Sequence, residues 1–419
     1  MNNTIKLAVA SALLAAASNA SAGIMIPAGD WTLDIGGVVN AYYTHTSYSG
    51  DNGGTAPLGL GNGDAQSASN ITTGLLPNYL SVSGKTRQND LDVAFTISIN
   101  PGASTSNSGV QSANQENRQA FLTFGDASWG SIKLGKDLGI YASDAILNDM
   151  TLLGVGAGAG SLSGNTTTLG RIGTGFMYAD WKSQVAYTSP NWNGFSFTAG
   201  VTQAWNAVDG LSPAPYAGKG YYSAISTTRG GSSPAFEAKA SYAWAGDFAG
   251  KVWVSGLSQK VDKLTNIAAQ DLGGSRANAW DIGATVNVAG FGLTGYYGQG
   301  EGIGQTFQLR DGFDFQGDRR DSDQWYVQGT YTIPGVGTKL GVSYGESTLD
   351  STRFDKSFSG IKEIQDSMWT VGAYHPLTKH LNLVAEYSVS ERDVSATAAS
   401  GNDAQAKGKT ASLGAILFF

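Results

Sequence analysis

Hydrophobic and polar residues alternate with a period of two along nearly the whole chain after residue 22. This is the period of a β-strand that has one apolar and one polar face. In residues 235–244, one face carries Phe236, Ala238, Ala240, Tyr242 and Trp244, and the other carries Glu237, Lys239 and Ser241. Residues 195–202 and 381–390 alternate in the same way, and in the second segment only Val384 interrupts the polar face. The pattern predicts an all-β protein.

Short and long links between these segments also alternate. The short links are residues 88–90, 125–130, 190–194, 245–250, 289–290, 334–337 and 376–379. The long links are polar and rich in Gly and Ser, and they cover roughly residues 47–77, 100–116, 137–175, 203–234, 261–278, 300–323, 346–366 and 392–408. Tight turns at one end and long loops at the other are typical of a transmembrane β-barrel. Seven turns and eight loops predict a 16-stranded antiparallel transmembrane barrel with an aqueous lumen and both termini on the periplasmic side.

Composition narrows the alternatives. No stretch after residue 22 approaches about 18 consecutive apolar residues, so a helical membrane protein is excluded. A net charge of −7 argues against nucleic acid as a partner, and the absence of Cys excludes disulfides and thiolate metal sites. The chain is 11% aromatic, which suits girdles at the membrane interfaces. We expect girdle positions for Tyr42, Tyr43, Trp244, Trp253, Tyr296, Tyr297, Trp325 and Trp369. The alternative is a row of aromatic side chains that guides sugars through the pore.

The N-terminal residues have the pattern of a secretory signal peptide. Lys6 precedes an apolar run at residues 7–17, and Ala20-Ser21-Ala22 supplies the small residues that signal peptidase requires. The apolar run is too short to span a bilayer, which needs roughly 20 residues. We therefore expect residues 1–22 to be the signal peptide and residues 23–419 to be the barrel domain, the alternative being an N-terminal helix that is retained.

The C-terminal segment, residues 411–419, is a further alternating strand. Its apolar face consists of Ala411, Leu413, Ala415, Leu417 and Phe419. A closing strand that ends in an aromatic residue resembles the signal that the outer-membrane barrel assembly machinery binds. The alternative is a simple hydrophobic strand with no such partner.

Candidate catalytic residues are few. The three His residues, His45, His375 and His380, have no suitable Ser beside them, as a nucleophilic hydrolase would require. The sequence has no GxSxG, HExxH or Walker motif. We therefore expect no enzyme activity, no cofactor and no metal site.

The third long link departs from the alternation. Residues 137–163 include a stretch at 142–150 whose Ala and Leu spacing permits a short helix, followed by a Gly/Ala run at 154–160. The link is too apolar for a loop that extends into solvent. We expect it to fold back into the lumen and to pack against the wall.

Several motifs around this link resemble the general, non-specific porins of Gram-negative bacteria. The strand 118–124 resembles the family's RxAFxGL-like strand, and residues 130–136 resemble its GSxxxGR-like strand. The resemblance continues at Gly170-Arg171-Ile172-Gly173 and at residues 185–197. It implies a barrel whose third loop bends inward to form a constriction, and, since general porins are typically trimers, a homotrimer.

The resemblance also implies the residues of the constriction. Arg118 and Arg171 would form a basic wall, Asp149 would supply the facing acid, and Lys136 and Asp144 would be further members. Alternation supports an inward Arg118, because Phe121 has the opposite parity. The alternatives are that the two arginines line the lumen elsewhere and that Asp149 caps a short helix in the loop.

The sequence departs from the family at two places. The stretch 152–156 has no acid where the family has a Glu, and Tyr79 occupies a wall position that is often Arg. The throat is therefore expected to be less charged than usual, and the direction of ion selectivity stays open.

The expected function is passive diffusion of small hydrophilic solutes and ions through the outer membrane. A substrate-specific channel with a binding site at the constriction is the second hypothesis, and it predicts a current that solute blocks in a saturable way. An adhesin or receptor acting through the long loops is the third. Outer-membrane lipids and lipopolysaccharide are the expected surroundings.

Overall fold

A computed structural model describes residues 23–50, 67–103, 115–157, 167–210, 221–401 and 403–419. The expected signal peptide and part of the Gly/Ala run lie outside these residues. The strands of the first half are Ile24–Ala28 (β1), Trp31–Gly50 (β2), Ser67–Thr72 (β3), Tyr79–Gln88 (β4), Leu91–Pro101 (β5), Gln115–Glu116 (β6), Ala120–Asp126 (β7), Gly130–Leu138 (β8), Trp181–Thr188 (β9) and Phe195–Thr202 (β10).

The second half of the chain is also built from strands. They are Ile225–Ser226 (β11), Ala235–Trp244 (β12), Phe248–Thr265 (β13), Asp271–Val288 (β14), Phe291–Glu301 (β15), Asp321–Thr332 (β16), Lys339–Asp350 (β17), Ile361–Pro376 (β18), Leu381–Ala396 (β19) and Ala404–Phe418 (β20). Short helices in the described residues are Ser143–Leu147 (α1), the 3₁₀ helix Met150–Leu153 and Arg353–Phe358 (α2). No helix in this part of the chain is both long and apolar enough to cross a membrane.

The strands close into an antiparallel barrel. Each long strand pairs with its neighbours in the chain, and β2 pairs with β20 from Val38 opposite Phe418 to Gly50 opposite Ala406. β3 and β4 both pair with β2 and form one barrel strand that is interrupted at residues 73–78, while β1, β6 and β11 only extend the ends of neighbouring pairs. The expected 16-stranded barrel is therefore confirmed.

Alternation decides which side chains face out. Val254, Ile282, Leu293 and Val327 are exposed on the outer wall, where lipid takes the place of a protein core. Towards the loop end, ring pairs on neighbouring strands form a girdle: Trp280–Tyr297, Trp325–Tyr344 and Trp369–Tyr387, with centroids 5.7, 5.6 and 5.6 Å apart. Towards the turn end, the pairs Trp244–Phe248 and Phe291–Tyr331 are 6.3 and 4.4 Å apart.

Three of the expected girdle residues face inward instead. Tyr42, Trp253 and Tyr296 are at most 4% exposed and belong to the buried cluster inside the barrel. Each occupies an inward-facing position in the alternation of its strand. The expectation of girdle positions did not take that alternation into account. Tyr43, beside Tyr42, faces out and is 54% exposed.

The seven short turns lie where the sequence predicts them, but several long links are shorter than expected. β13 continues to Thr265 and β14 begins at Asp271, so the predicted link at 261–278 shrinks to residues 266–270. The reason is that strand pairing continues beyond the apolar band, where both faces of a strand tolerate polar residues. Inner-face residues such as Val261, Leu264 and Leu349 stay buried in these extensions.

The link between β15 and β16, residues 302–320, also packs on the inner side of the wall. Leu309 and Phe313 are buried beside Val261. The Arg320 guanidinium is fully buried and donates to the two carboxylate oxygens of Asp355, at 2.7 and 2.9 Å. This link therefore occupies part of the barrel interior at the loop end.

The outer face should reject charge while the inner face tolerates it. We expect Val327→Arg to lower the free energy of unfolding by about 2–4 kcal/mol, because it places a guanidinium between the girdles in lipid. Thr330→Arg, on the inner face of the same strand, should change it by less than half as much. Denaturant unfolding of the protein in phospholipid vesicles measures both. Equal losses in the two variants would contradict the assignment of the faces.

Candidate functional site

The described parts of the link between β8 and β9, residues 139–157 and 167–180, are bound to the inner wall and are called the inserted segment below. Three wall side chains, Glu237, Gln328 and Glu386, accept hydrogen bonds from its backbone N–H groups. The donors are Ile140 and Tyr141 to Glu237 at 2.8 Å each, Met150 to Gln328 at 2.9 Å, and Val155 and Gly156 to Glu386 at 2.8 and 2.9 Å. All three acceptors have inner-face parity, so the backbone groups that donate to them lie against the inner side of the wall.

The inserted segment also contacts residues 73–78, where a strand of the wall is interrupted. The N–H of Leu75 donates to the Gly154 carbonyl at 2.8 Å, and the N–H of Leu76 donates to the Leu152 carbonyl at 3.3 Å. A Cβ atom on Gly74 would lie 2.3 Å from the Gly154 oxygen, so this close approach requires glycine. Backbone groups that lack a strand partner here are satisfied by the inserted segment.

Glu237 joins the segment to a buried ion pair. The Lys182 ammonium lies 2.5 Å from one Glu237 oxygen, and both side chains are 0% exposed. The Thr202 hydroxyl donates to the same oxygen at 2.8 Å. A buried carboxylate is tolerated when it is paired and hydrogen-bonded in this way, so Glu237 acts as a fixed anchor for residues 140 and 141.

Asp144 is the acidic residue of the inserted segment that faces basic residues of the wall. It lies in the first turn of α1, 3.2 Å from the Lys239 ammonium, and it also contacts the Lys251 ammonium. Burial opposes ionisation of its carboxyl group, but the two lysines outweigh that effect and hold its pKa below the usual value. The structure thus brings the predicted Asp144 together with two lysines that were not predicted.

Asp149 caps the 3₁₀ helix Met150–Leu153. Its carboxylate accepts hydrogen bonds from the backbone N–H of Thr151 at 3.0 Å and from the Thr151 hydroxyl at 2.7 Å. The residue is 3% exposed, and burial raises the pKa of its carboxyl group. The structure therefore places Asp149 in the capping role that the sequence left open.

Arg171 fastens the returning part of the segment to the wall. It is fully buried, donates to the Met368 carbonyl at 3.0 Å and also donates to the Ser343 hydroxyl. Its guanidinium lies 5.7 Å from the centre of the Tyr326 ring. In this position Arg171 orders the segment and does not line an aqueous surface.

The register argument for Arg118 was wrong, although the residue is buried. Phe121 faces inward, is 7% exposed and lies under the Lys133 ammonium at 4.8 Å. Because β7 begins only at Ala120, strand alternation does not apply to Arg118. Its guanidinium pairs with Glu116 at 2.8 Å and stacks 5.8 Å from the Trp181 ring centre, apart from Asp144.

Lys136 lies on the other face of the wall. It is opposite Ala120 and Ser183, which have outer-face parity, and its ammonium donates to the Asn117 carbonyl at 2.8 Å. Lys133 lies on the inner face of β8. Because side chains of a strand alternate, Lys136, three residues further on, lies on the outer face. The structure therefore does not bring Lys136 to Asp144, Asp149 or Arg171.

The wall residues that hold the segment were missed, yet the sequence carried a signal for them. Glu237, Lys239 and Glu386 stand on the polar faces of the two clearest alternating segments, 235–244 and 381–390. Charged residues on the inner face of a barrel strand must meet either water or a partner inside. The Glu386 carboxylate also stands beside the acid-free stretch 152–156, so the wall supplies an acid that the loop lacks.

The sequence model of a family described as Gram-negative porin matches residues 8–395, which is most of the chain. No curated protein matches the sequence.

The fold is similar to solved outer-membrane barrels. The outer-membrane channel DcaP of Acinetobacter baumannii is 16% identical, with 95% of this chain and 100% of that chain covered and a TM-score of 0.65. Salmonella typhi OmpF, in complex with daunomycin, is 17% identical, with coverage of 94% and 100% and a TM-score of 0.55. The trimer form of Vibrio cholerae OmpT is 14% identical, with coverage of 92% and 99% and a TM-score of 0.53. At these identities the likeness establishes the fold.

Glu386 should be a main anchor of the segment. We expect Glu386→Ala to release residues 154–157, to lower the free energy of unfolding by roughly 1–3 kcal/mol, and to give a larger and noisier single-channel current. Glu391→Ala is the matched control, because Glu391 lies on the outer face of the same strand and pairs with Lys407. Currents of the two variants that cannot be told apart would refute the anchoring role.

Proposed function

The chain belongs to the family of Gram-negative porins and is an outer-membrane channel for passive diffusion, and we propose that its cargo is small hydrophilic solutes and ions. The observation that carries this proposal is the contact of the inserted segment with the inner wall, where Asp144 faces Lys239 and Lys251. A solute that crosses the barrel must pass this segment. Fixed charges of opposite sign at such a point orient water and admit polar solutes more readily than apolar ones.

Transport through such a channel needs no moving part. The segment is held by hydrogen bonds to β12, β16 and β19, so it narrows the lumen permanently. Solutes move down their own gradients, and the rate depends on their size and charge relative to the passage. Coupling to an energy source has no role in this account.

We also propose that the protein is a homotrimer. On β14–β19 the loop-end girdle is continuous, whereas the outer faces of β3, β4, β5 and β7 expose aliphatic side chains, which suit contact with another subunit. These side chains are Ile71, Leu80, Ile97, Ile99 and Leu122. The trimer form of Vibrio cholerae OmpT has the same fold and supports the proposal.

The remaining partners follow from an outer-membrane location. We propose that residues 1–22 are removed on export, that the turn end and both termini face the periplasm, and that the long loops face lipopolysaccharide. The outward apolar face of β20, with Leu413 and Leu417, is the proposed contact for the barrel assembly machinery.

A substrate-specific channel is the second candidate, and one observation favours it. Residues 302–320 fill part of the interior at the loop end, where Leu309, Phe313 and Arg320 are buried. A passage that is narrowed at two levels selects more strongly than one that is narrowed once. In that case the binding residues would lie between the two inserted segments.

Planar-bilayer recording of the refolded protein separates these candidates. A general porin should give ohmic steps that arrive in threes, and proteoliposomes should admit neutral sugars at rates that fall smoothly with size. A specific channel should give small steps that one class of solute blocks in a saturable way. A barrel that is folded by circular dichroism and heat-modifiable on electrophoresis, yet carries no current, would contradict the pore and favour an adhesin or receptor.

A further inference from the structure

The lumen contains a polar cavity on the turn-end side of the inserted segment. Its volume is about 640 Å³, and it is called the vestibule below. The segment contributes Asp144, Asn148 and Asp149 to its lining, and the wall contributes the side chains of Lys251, Asn287, Gln328, Thr330 and Lys339 among others. Its position makes it part of the path that a solute follows between the constriction and the turn end.

The accessible charges of the vestibule are mainly positive. Lys239 and Lys251 have side chains that are 24% and 30% exposed, whereas the Asp144 carboxylate that they share is 4% exposed. The two ammonium groups and the carboxylate together carry one net positive charge. The lysines, and not the carboxylate, face solvent. Of these two lysines only Lys251 lines the vestibule, so a solute there meets Lys251 more directly than Asp144.

Lys339 adds a second positive charge. It is the first residue of β17 and has inner-face parity, opposite Thr332 and Tyr374. Its ammonium lies 5.1 Å from the centre of the Tyr374 ring, and it makes no ion pair with any side chain in the described residues. Unlike the other two lysines, it is not neutralised by an acid within reach.

The acids around the vestibule do not reverse this sign. Both Asp149 oxygens accept hydrogen bonds from Thr151, and the residue is 3% exposed. Asp281, higher on the wall, is fully buried and accepts a hydrogen bond from Ser255. Asp247 is the exception, because it is exposed in the turn before β13 and lies at the rim.

Charges on the opposite inner wall largely cancel one another. Arg87 lies between Asp92 and Asp126, at 2.8 Å from each, and Lys133 pairs with Asp137. Many acids that make the chain net negative face outward at the loop end instead. They include Asp321, Asp323, Glu346, Asp350, Glu363 and Glu391. The net charge of −7 is therefore a property of the whole chain and does not give the sign of the charge in the lumen.

We propose that the vestibule is an anion-attracting chamber, in which Lys251 and Lys339, assisted by Lys239, favour chloride and small solutes that carry a carboxylate. This inference rests on the proposed pore function and names the class of solute that the pore prefers. A fixed unit charge about 10 Å from a permeating ion in water changes its local concentration roughly twofold. Charges that line a lumen set the ion preference of a channel in this way.

The test is the reversal potential of the full-length pore in a potassium chloride gradient. The wild-type protein should be more permeable to chloride than to potassium. Lys339→Gln should reduce the permeability ratio by about twofold, and Lys251→Gln combined with Lys339→Gln should reduce it further. Lys409→Gln is the matched control, because Lys409 is on the outer face of β20, opposite Val389 and Ser47, and it should leave the ratio unchanged.

A solute pair of similar size gives an independent measurement. Proteoliposomes that contain valinomycin should take up gluconate from external potassium gluconate faster than they take up glucose, with potassium entering as the counter-ion, and the double lysine variant should lose that difference.

A conducting pore that prefers potassium, or lysine variants with an unchanged ratio, would overturn the anion-attracting vestibule and leave the pore function intact. Absence of current from a folded barrel would overturn both.

Discussion

Closure of the sheet is the constraint on which the rest of the structure depends. In hydrocarbon, each unpaired backbone N–H or C=O costs several kcal/mol, so a strand protein can cross the membrane only when no edge is left open. Pairing of β2 with β20 removes the last edge, and it continues to the Gly37 N–H and the Phe419 carbonyl, 2.8 Å apart. Closure then fixes which residues face lipid and which face the lumen, because the side chains of a strand alternate.

The inner face has the opposite requirement, since its polar and charged groups must meet water or a partner. The inserted segment, residues 139–157 and 167–180, supplies such partners. Glu237 and Glu386 bind backbone N–H groups of the segment, and Lys239 and Lys251 bind Asp144. The same wall residues therefore hold the segment and decide which charges remain accessible to a solute. In this chain most acids near the constriction are used for anchoring, and the lysines stay partly exposed.

Much of the fold could be predicted from the sequence, because strand alternation is a local property. The faces of residues 235–244 could be assigned without any knowledge of the neighbouring strands. Partners could not be assigned: Glu237 binds residues nearly a hundred positions away, and no local pattern encodes that distance. The register argument for Arg118 and the inward assignment of Lys136 were wrong for a related reason, because a motif gives position along the chain but not where a strand begins or which face it turns inward.

The most direct test is whether the inserted segment lies inside the barrel. The chain has no Cys, so one engineered thiol can be followed without background. Ala145→Cys places it on α1, at a residue that is 1% exposed, and Ala399→Cys places it in an exposed loop. In the folded protein, a bulky polymer-linked maleimide should label Cys at position 399 rapidly and spare the one at position 145. Equally rapid labelling of both would contradict an inserted segment.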